Sequence, residues 1–297
     1  MQAIQYFAAS RLCRSIRTTN GPLLFTFLLG LFFFLPDNRS SAQTTDSKPV
    51  YASVTYIKVH PEKEAQYREL LKKYGKKINE YFYKNKLILG WYMHQVIMPS
   101  GAAAEYDYAA VNVSSSLKDL LDDSIGIRTV FKKVFPAMTD KLFDSIASQY
   151  QRARTIVKRE VFRSVTGLNM DPAAPPTKYA SLDFMKTLPG KAAEYEKMEK
   201  ETWMPLHKER VNEGAIKDWQ LFEKIMPYGA KEESDYVTVQ FFNDLSTVEN
   251  PKYMESFNKV WAGQDANKFI QNTESTRTLV KNELWMVIDY VDGTNTK

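Results

Sequence analysis

YASVTYIKVHPEKEAQY, residues 51–67, returns 128 positions later as YASLDFMKTLPGKAAEY, residues 179–195. Tyr51-Ala52-Ser53, Lys58, Pro61, Lys63, Ala65 and Tyr67 recur as Tyr179-Ala180-Ser181, Lys186, Pro189, Lys191, Ala193 and Tyr195. The register continues without a gap: Trp91 matches Trp219, Ile97-Met98-Pro99 matches Ile225-Met226-Pro227, and Asp107-Tyr108 matches Asp235-Tyr236. At a slightly shorter offset, Arg154 to Glu160 (RTIVKRE) returns as Arg277 to Glu283 (RTLVKNE). The chain is therefore a tandem duplication, with repeats at 51–168 and 179–291. Residues 43–50 read as a short N-terminal linker and 292–297 as a tail. Between the repeats, 169–178 (NMDPAAPPTK) has the proline-rich composition of a linker.

Each repeat reads strand, helix, strand, strand, helix, strand. Tyr51 to Val59 alternates with period two, as a strand should. Beyond Pro61, residues Tyr67, Leu70, Leu71, Tyr74, Ile78, Tyr81 and Phe82 fall at three- and four-residue steps, on one helical face. Leu87 to Met98 and Tyr106 to Val113 read as strands around a Pro99-Ser100-Gly101 turn. Leu117 to Ile146 carries a broken helical pattern, and Thr155 to Val165 closes the unit. The order βαββαβ predicts an α+β, ferredoxin-like unit, a four-stranded antiparallel sheet with both helices on one face. The bare sheet face needs a cover, and the second copy is at hand to supply it.

This element order and the tandem repeat resemble the dimeric α/β-barrel superfamily, which includes antibiotic-biosynthesis monooxygenases, NIPSNAP-like proteins and chlorite-dismutase-like haem proteins. The resemblance implies two ferredoxin-like units packed sheet to sheet as one intramolecular barrel, complete as a monomer or a weak homodimer. It is carried by no catalytic motif and does not fix a function.

The N-terminus has its own logic. Arg11, Arg14 and Arg17 precede an apolar run from Leu23 to Leu35, and Ser40 and Ala42 supply the small residues of a cleavage site. At ~1.5 Å per helical residue the run falls short of a ~30 Å hydrocarbon core. Residues 1–42 are expected to be a cleaved signal peptide, with export to a periplasmic or extracellular space and no stable membrane association afterwards. The lone Cys13 lies within that segment, so the remainder has no cysteine for a disulfide or a metal site. Four of the chain's 40 basic residues and one of its 35 acidic residues leave with the segment, and the rest is close to neutral. No basic stripe marks a nucleic-acid partner.

The repeats differ most at the end of the first helix. Glu199, Trp203 and His207 are spaced by four, with Arg210 three residues on, where the first copy has Leu71, Gly75, Asn79 and Phe82. One helical face thus presents a carboxylate, an indole, an imidazole and a guanidinium only in the second copy. The expected site is a small-molecule pocket under this helix, with His207 as proton-transfer group, Glu199 orienting it, Trp203 stacking on the ligand and Arg210 meeting an oxygen. Trp219 and Tyr236 are duplicated as Trp91 and Tyr108 and read first as packing residues. They are also the strand residues that could complete a pocket wall.

Pro205 is expected to kink or restart the helix, since it lacks an N–H and clashes with the carbonyl of Glu201. No zinc spacing occurs among His60, His94 and His207, and no phosphate-binding glycine loop or nucleophile elbow is present. No cofactor is expected, although one histidine would suffice as an axial haem ligand. Two readings stay open: proton-transfer or oxygenase-type chemistry in the second repeat, or a non-catalytic exported barrel that binds a ligand or a protein.

Overall fold

The computed structural model describes residues 49–122, 124–168 and 174–296. The expected leader at 1–42 and linker residues 169–173 lie outside these. The first repeat runs β1 (Tyr51–Val59), α1 (Glu64–Leu70), a π-helical turn at Leu71–Gly75, α2 (Lys76–Lys84), β2 (Gly90–Met98), β3 (Tyr108–Ser114), α3 (Leu117–Leu121), α4 (Ile127–Val134), α5 (Asp140–Ala153) and β4 (Arg154–Gly167). The second runs β5 (Tyr179–Thr187), α6 (Ala192–Met198), a π-helical turn at Glu199–Trp203, α7 (Met204–Asn212), β6 (Asp218–Met226), β7 (Tyr236–Phe242), α8 (Ser246–Glu249), α9 (Tyr253–Val260), α10 (Ala266–Glu274) and β8 (Arg277–Val291).

All eight strands pair antiparallel in one closed barrel, in the order β1-β3-β2-β8-β5-β7-β6-β4. Each repeat supplies four neighbouring strands, and the two sets join along their edges through β2–β8 and β4–β6. Closure leaves none of the eight described strands at an open edge. Trp91 pairs with Val291 at one seam and Phe162 with Lys224 at the other. The β1–β4 and β5–β8 ladders shift register at equivalent points, Tyr56/Ile57 and Phe184/Met185.

One clamp is duplicated atom for atom. Lys58 Nζ donates to Asp107 Oδ1 at 2.9 Å and Lys186 Nζ to Asp235 Oδ1 at 2.7 Å. The second carboxylate oxygen takes the backbone N–H of Val59 or Thr187. Each clamp ties the end of a repeat's first strand to the hairpin between its second and third, which accounts for the identity of these residues across the repeat.

Pro205 does not break the helix. The chain stays helical from α6 through α7, with Pro205 in the first turn of α7. The π-turn before it recurs in the first repeat at Leu71–Gly75, where no proline follows. The bulge therefore belongs to the fold of both copies, and Pro205 occupies a turn whose backbone hydrogen bonds are already displaced.

The barrel interior is filled, not hollow. Ala52, Val54, Val96, Ala109, Phe162, Leu182, Phe184, Val237 and Val239 are among the inward residues. One end carries ions. Lys224 Nζ, almost wholly buried, bridges Glu160 Oε1 at 3.3 Å and Glu232 Oε2 at 2.9 Å. Glu283 accepts from Tyr106 at 2.6 Å, Trp285 Nε1 at 2.8 Å and Lys281 at 3.2 Å. Glu160 and Glu283 are equivalent positions of the repeat, so the duplicated carboxylate serves the barrel on both sides.

The helix-facing side of the sheet is unlike in the two halves. Among the described residues, sixteen buried apolar side chains cluster over the first repeat against six over the second. That deficit is filled by polar groups, and it is where the candidate site lies.

Candidate functional site

Under α6–α7 the sheet floor is polar. Asp183 on β5 stands where the first repeat has Thr55, Thr238 on β7 where it has Ala110, and Gln240 where it has Asn112. The helix above contributes Tyr195, Glu199, His207 and Arg210, all buried. A leucine, an asparagine and a phenylalanine hold the last three positions in the first repeat. The second copy has thus placed two carboxyls, an imidazole and a guanidinium, at Asp183, Glu199, His207 and Arg210, where the first has no ionisable side chain.

The layer has two centres. At the first, Arg210 donates Nε to the Pro251 carbonyl at 2.8 Å, and Nη1 to Gln240 Oε1 at 2.6 Å and to His207 Nδ1 at 3.1 Å. Its guanidinium lies 3.8 Å from the Tyr253 ring centre. Because His207 Nδ1 accepts, its proton sits on Nε2. The imidazole stacks on Trp219 at 5.0 Å and 11°, with Trp203 at 6.2 Å and Tyr253 edge-on at 6.0 Å. Burial, then the Arg210 charge, drives its pKa well below the ordinary histidine value. Burial also lowers Arg210.

At the second centre, Glu199 is 3 % exposed. Burial raises its pKa to about 7, the Asp183 charge adds to the rise, and Tyr195 and Arg277 oppose it. Asp183, which accepts from Asn282 Nδ2 at 2.5 Å, is raised by burial as well. The Tyr195 hydroxyl and Arg277 Nε are buried in this company without a hydrogen-bond partner.

Several expectations are corrected by this geometry. Glu199 does not orient His207; Arg210 does. Arg210 does not present a free fork to a ligand, since its Nε and Nη1 are engaged by protein acceptors. Trp203 points its Nε1 at Thr273 Oγ1, 3.0 Å away, and pins α10 to the helix. Trp219 backs His207, and Tyr236 turns aside to donate to Glu196 Oε1 at 3.0 Å. Tyr195, Asp183 and Arg277 were not singled out by sequence. The Thr55-to-Asp183 exchange within an otherwise matching strand was the available signal. Tyr195 and Arg277 were masked by their duplicates, Tyr67 and Arg154.

A cleft of about 430 Å³ opens between α6, its π-turn and α10. Met198 and Phe269 give it apolar walls, Thr202 and Asn272 polar ones, and Lys197 and Lys268 stand at its rim beside Glu194 and Glu201. Thr276, the neighbour of Arg277, and Met198, the neighbour of Glu199, lie on its wall. A cleft of about 290 Å³ in the first repeat is lined by His60, Glu64, Asp107 and Tyr108.

No family model and no curated protein matches the chain. Solved structures do. A candidate monooxygenase from Fusobacterium nucleatum subsp. nucleatum superposes with a TM-score of 0.51 at 11 % identity, covering 83 % of this chain and 95 % of that one. A candidate chlorite dismutase gives 0.46 at 12 % identity, covering 81 % and 95 %. A haem-binding protein from Thermus thermophilus gives 0.42 at 12 %, covering 81 % and 91 %. At these identities the likeness is one of fold, an α+β architecture with a large antiparallel sheet.

The expectation of no cofactor is corrected by these comparisons, because one of the proteins of similar fold is a haem-binding protein. The chain's histidines, as placed, do not form an axial site. His60 has both ring nitrogens engaged, by the Arg152 carbonyl and Thr155 Oγ1 at 2.9 Å each. His94 is enclosed in the barrel against Trp285, and His207 among aromatic rings. Neither His94 nor His207 lines either cleft. A histidine-ligated haem does not fit this arrangement.

Proposed function

We propose that the second repeat is a small-molecule site, with Glu199 as the group that gives or takes a proton. The observation that carries this reading is a buried carboxyl poised near neutrality behind the wall of a 430 Å³ cleft, in the repeat whose apolar layer is the smaller of the two. A general acid or base works best when its pKa lies near the ambient pH, and burial is the usual means of raising a carboxyl. Asp183 deepens the effect, and Arg277 keeps it from running further. The His207–Arg210 centre serves as the rigid wall behind this site. Proton transfer would be the protein's part in any isomerase- or oxygenase-type reaction run there.

The two halves are, on this reading, fused ferredoxin-like units of which one keeps the scaffold and the other the site. The chain is further proposed to be exported, with residues 1–42 removed. The mass of the protein recovered from its producing host tests this, and an N-terminus at Met1 refutes it.

For the site, native mass spectrometry of the same material and a thermal-shift screen of small organic acids and ketones are the direct tests. A ligand that stabilises the wild type but not Asn272→Trp, which fills the cleft, supports the reading. Turnover lost in Glu199→Gln with binding retained assigns the proton transfer, while binding without turnover in the wild type leaves a carrier. Ligands that bind both proteins alike place the site elsewhere and end the proposal.

A further inference from the structure

Two hydrogen-bond donors are buried without an acceptor at one point in this protein. The Tyr195 hydroxyl belongs to a side chain with no exposed surface, and Arg277 Nε is likewise shut from solvent. Both act on Glu199, Arg277 through its charge and Tyr195 through a hydroxyl that faces the carboxyl but falls outside hydrogen-bond geometry. A buried donor left unmade costs about 1–3 kcal/mol, so two around Glu199, set behind the cleft-wall residues Met198 and Thr276 and not themselves on the wall, mark a place for an acceptor. The groups around Glu199 are Tyr195 on its own helix, Asp183 from β5 and Arg277 from β8, with Lys268 of α10 farther out on the cleft rim.

Resting on the site reading above, we propose that the ligand is a small organic carboxylate, bound through its oxygens to Tyr195 and Arg277 with uptake of one proton by Glu199. An anion entering beside Asp183 and an ionised Glu199 would meet like charge. Protonation of Glu199 removes one of those charges and turns its oxygen into a third donor, so anion and proton enter together. The bond formed is O–H on Glu199, the proton coming from solvent, and no other covalent bond changes. Met198 and Phe269 on the cleft wall suit a carboxylate with an apolar or aromatic body.

The first repeat is the internal control. It keeps the pair as Tyr67 and Arg154, yet has Leu71 and Thr55 where the second has Glu199 and Asp183. At this point of the first repeat the coupling carboxyl is missing, since Leu71 stands in its place.

The test is calorimetric titration of the full purified chain with benzoate, ionised throughout, between about pH 6 and 8.5. Affinity should fall about tenfold per pH unit above the Glu199 midpoint, the signature of one linked proton. Tyr195→Phe and Arg277→Gln should each weaken binding by about tenfold or more. Tyr67→Phe should leave it unchanged, and Glu199→Gln should keep binding while flattening the pH profile. Binding that Asn272→Trp abolishes, but that ignores pH or Tyr195→Phe, overturns this inference and leaves the site standing. Binding indifferent to Asn272→Trp removes the site itself, and absence of benzoate heat at every pH refutes the carboxylate assignment.

Discussion

His207 Nδ1 lies 3.1 Å from Arg210 Nη1, so the imidazole of this helix is held by a guanidinium and not by the carboxylate two turns before it. The pairing makes Arg210 the keystone of its centre. It is 1 % exposed, makes its hydrogen bonds to Pro251, Gln240 and His207 and to no carboxylate among the described residues, and feels Asp183 and Glu213 only through their charge. Buried cations normally pair directly with an anion, and this one is held by neutral acceptors and the Tyr253 face, with Asp183 and Glu213 acting by charge alone.

Replacement of Arg210 by Leu should therefore strand two acceptors, the Pro251 carbonyl and His207 Nδ1, while Gln240 Oε1 keeps its bond from Tyr253, and cost about 3 kcal/mol of stability by urea denaturation. His207→Phe retains the stack on Trp219 and removes one acceptor, so about 1 kcal/mol is expected. Neither change should alter the pH linkage of benzoate binding, because neither residue is among the groups that set the Glu199 titration. Loss of that linkage in His207→Phe would return the histidine to the proton-transfer role that sequence suggested.

Glu199 should leave a mark on stability as well as on binding. Its folded pKa of about 7 lies above the 4.5 of a free carboxyl. The native state then holds the proton more tightly than the unfolded chain, and the associated stability is present below pH 4.5 and lost as pH rises through 7. The full swing is about 3 kcal/mol. Glu199→Gln, a permanent stand-in for the neutral acid, should gain on the wild type by that amount between the two limits. Parallel stability curves for the two proteins would show that the carboxyl ionises freely in the fold.

Much of this architecture was legible because it is written twice. Tyr51-Ala52-Ser53 and Tyr179-Ala180-Ser181 fix the first strands, and the Lys58–Asp107 and Lys186–Asp235 identities turn out to be one clamp used in both halves. The candidate face was legible for the opposite reason: Glu199 and His207 break the repeat. Which of them touches which was not. Spacing by four places residues on one face of an α-helix, but the π-turn at Glu199–Trp203 inserts an extra residue into the winding and rotates Glu199 away from His207. Nor could strand pattern alone tell that Asp183 faces the helices. The register shift between Phe184 and Met185 sits one residue beyond it.

His94 should produce a pH dependence of opposite sign to that of Glu199. It is sealed in the barrel beside Trp285, 5.4 Å between ring centres, with Nδ1 unpartnered. Burial lowers its pKa from 6.5 to about 4. Between these values the unfolded chain binds the extra proton, so stability is full above pH 6.5 and falls by about 3 kcal/mol as pH drops to 4. His94→Gln should lack this loss, making the difference between the two proteins shrink or invert on acidification. A difference that stays constant from pH 7 to 4 would mean that water or a counter-ion reaches the ring.

Lys224 poses the sharpest question about the barrel. Its ammonium is 3 % exposed, between Glu160 on the neighbouring strand and Glu232 on the hairpin, and the first repeat has Val96 in its place. Removing one partner of a buried ion pair leaves the other charge uncompensated, so Lys224→Met should cost about 3–5 kcal/mol. Removing both charges need not cost anything comparable, because well-packed neutral groups often replace buried pairs at little loss. The double variant Lys224→Met/Glu160→Gln should recover most of the stability, with a coupling of at least about 2 kcal/mol in a double-mutant cycle. Additive losses would show that Glu160 depends on Lys158, 4.0 Å away, rather than on Lys224. The strand seam β4–β6, which these two residues join across the repeats, would then be held by its backbone ladder and apolar neighbours alone.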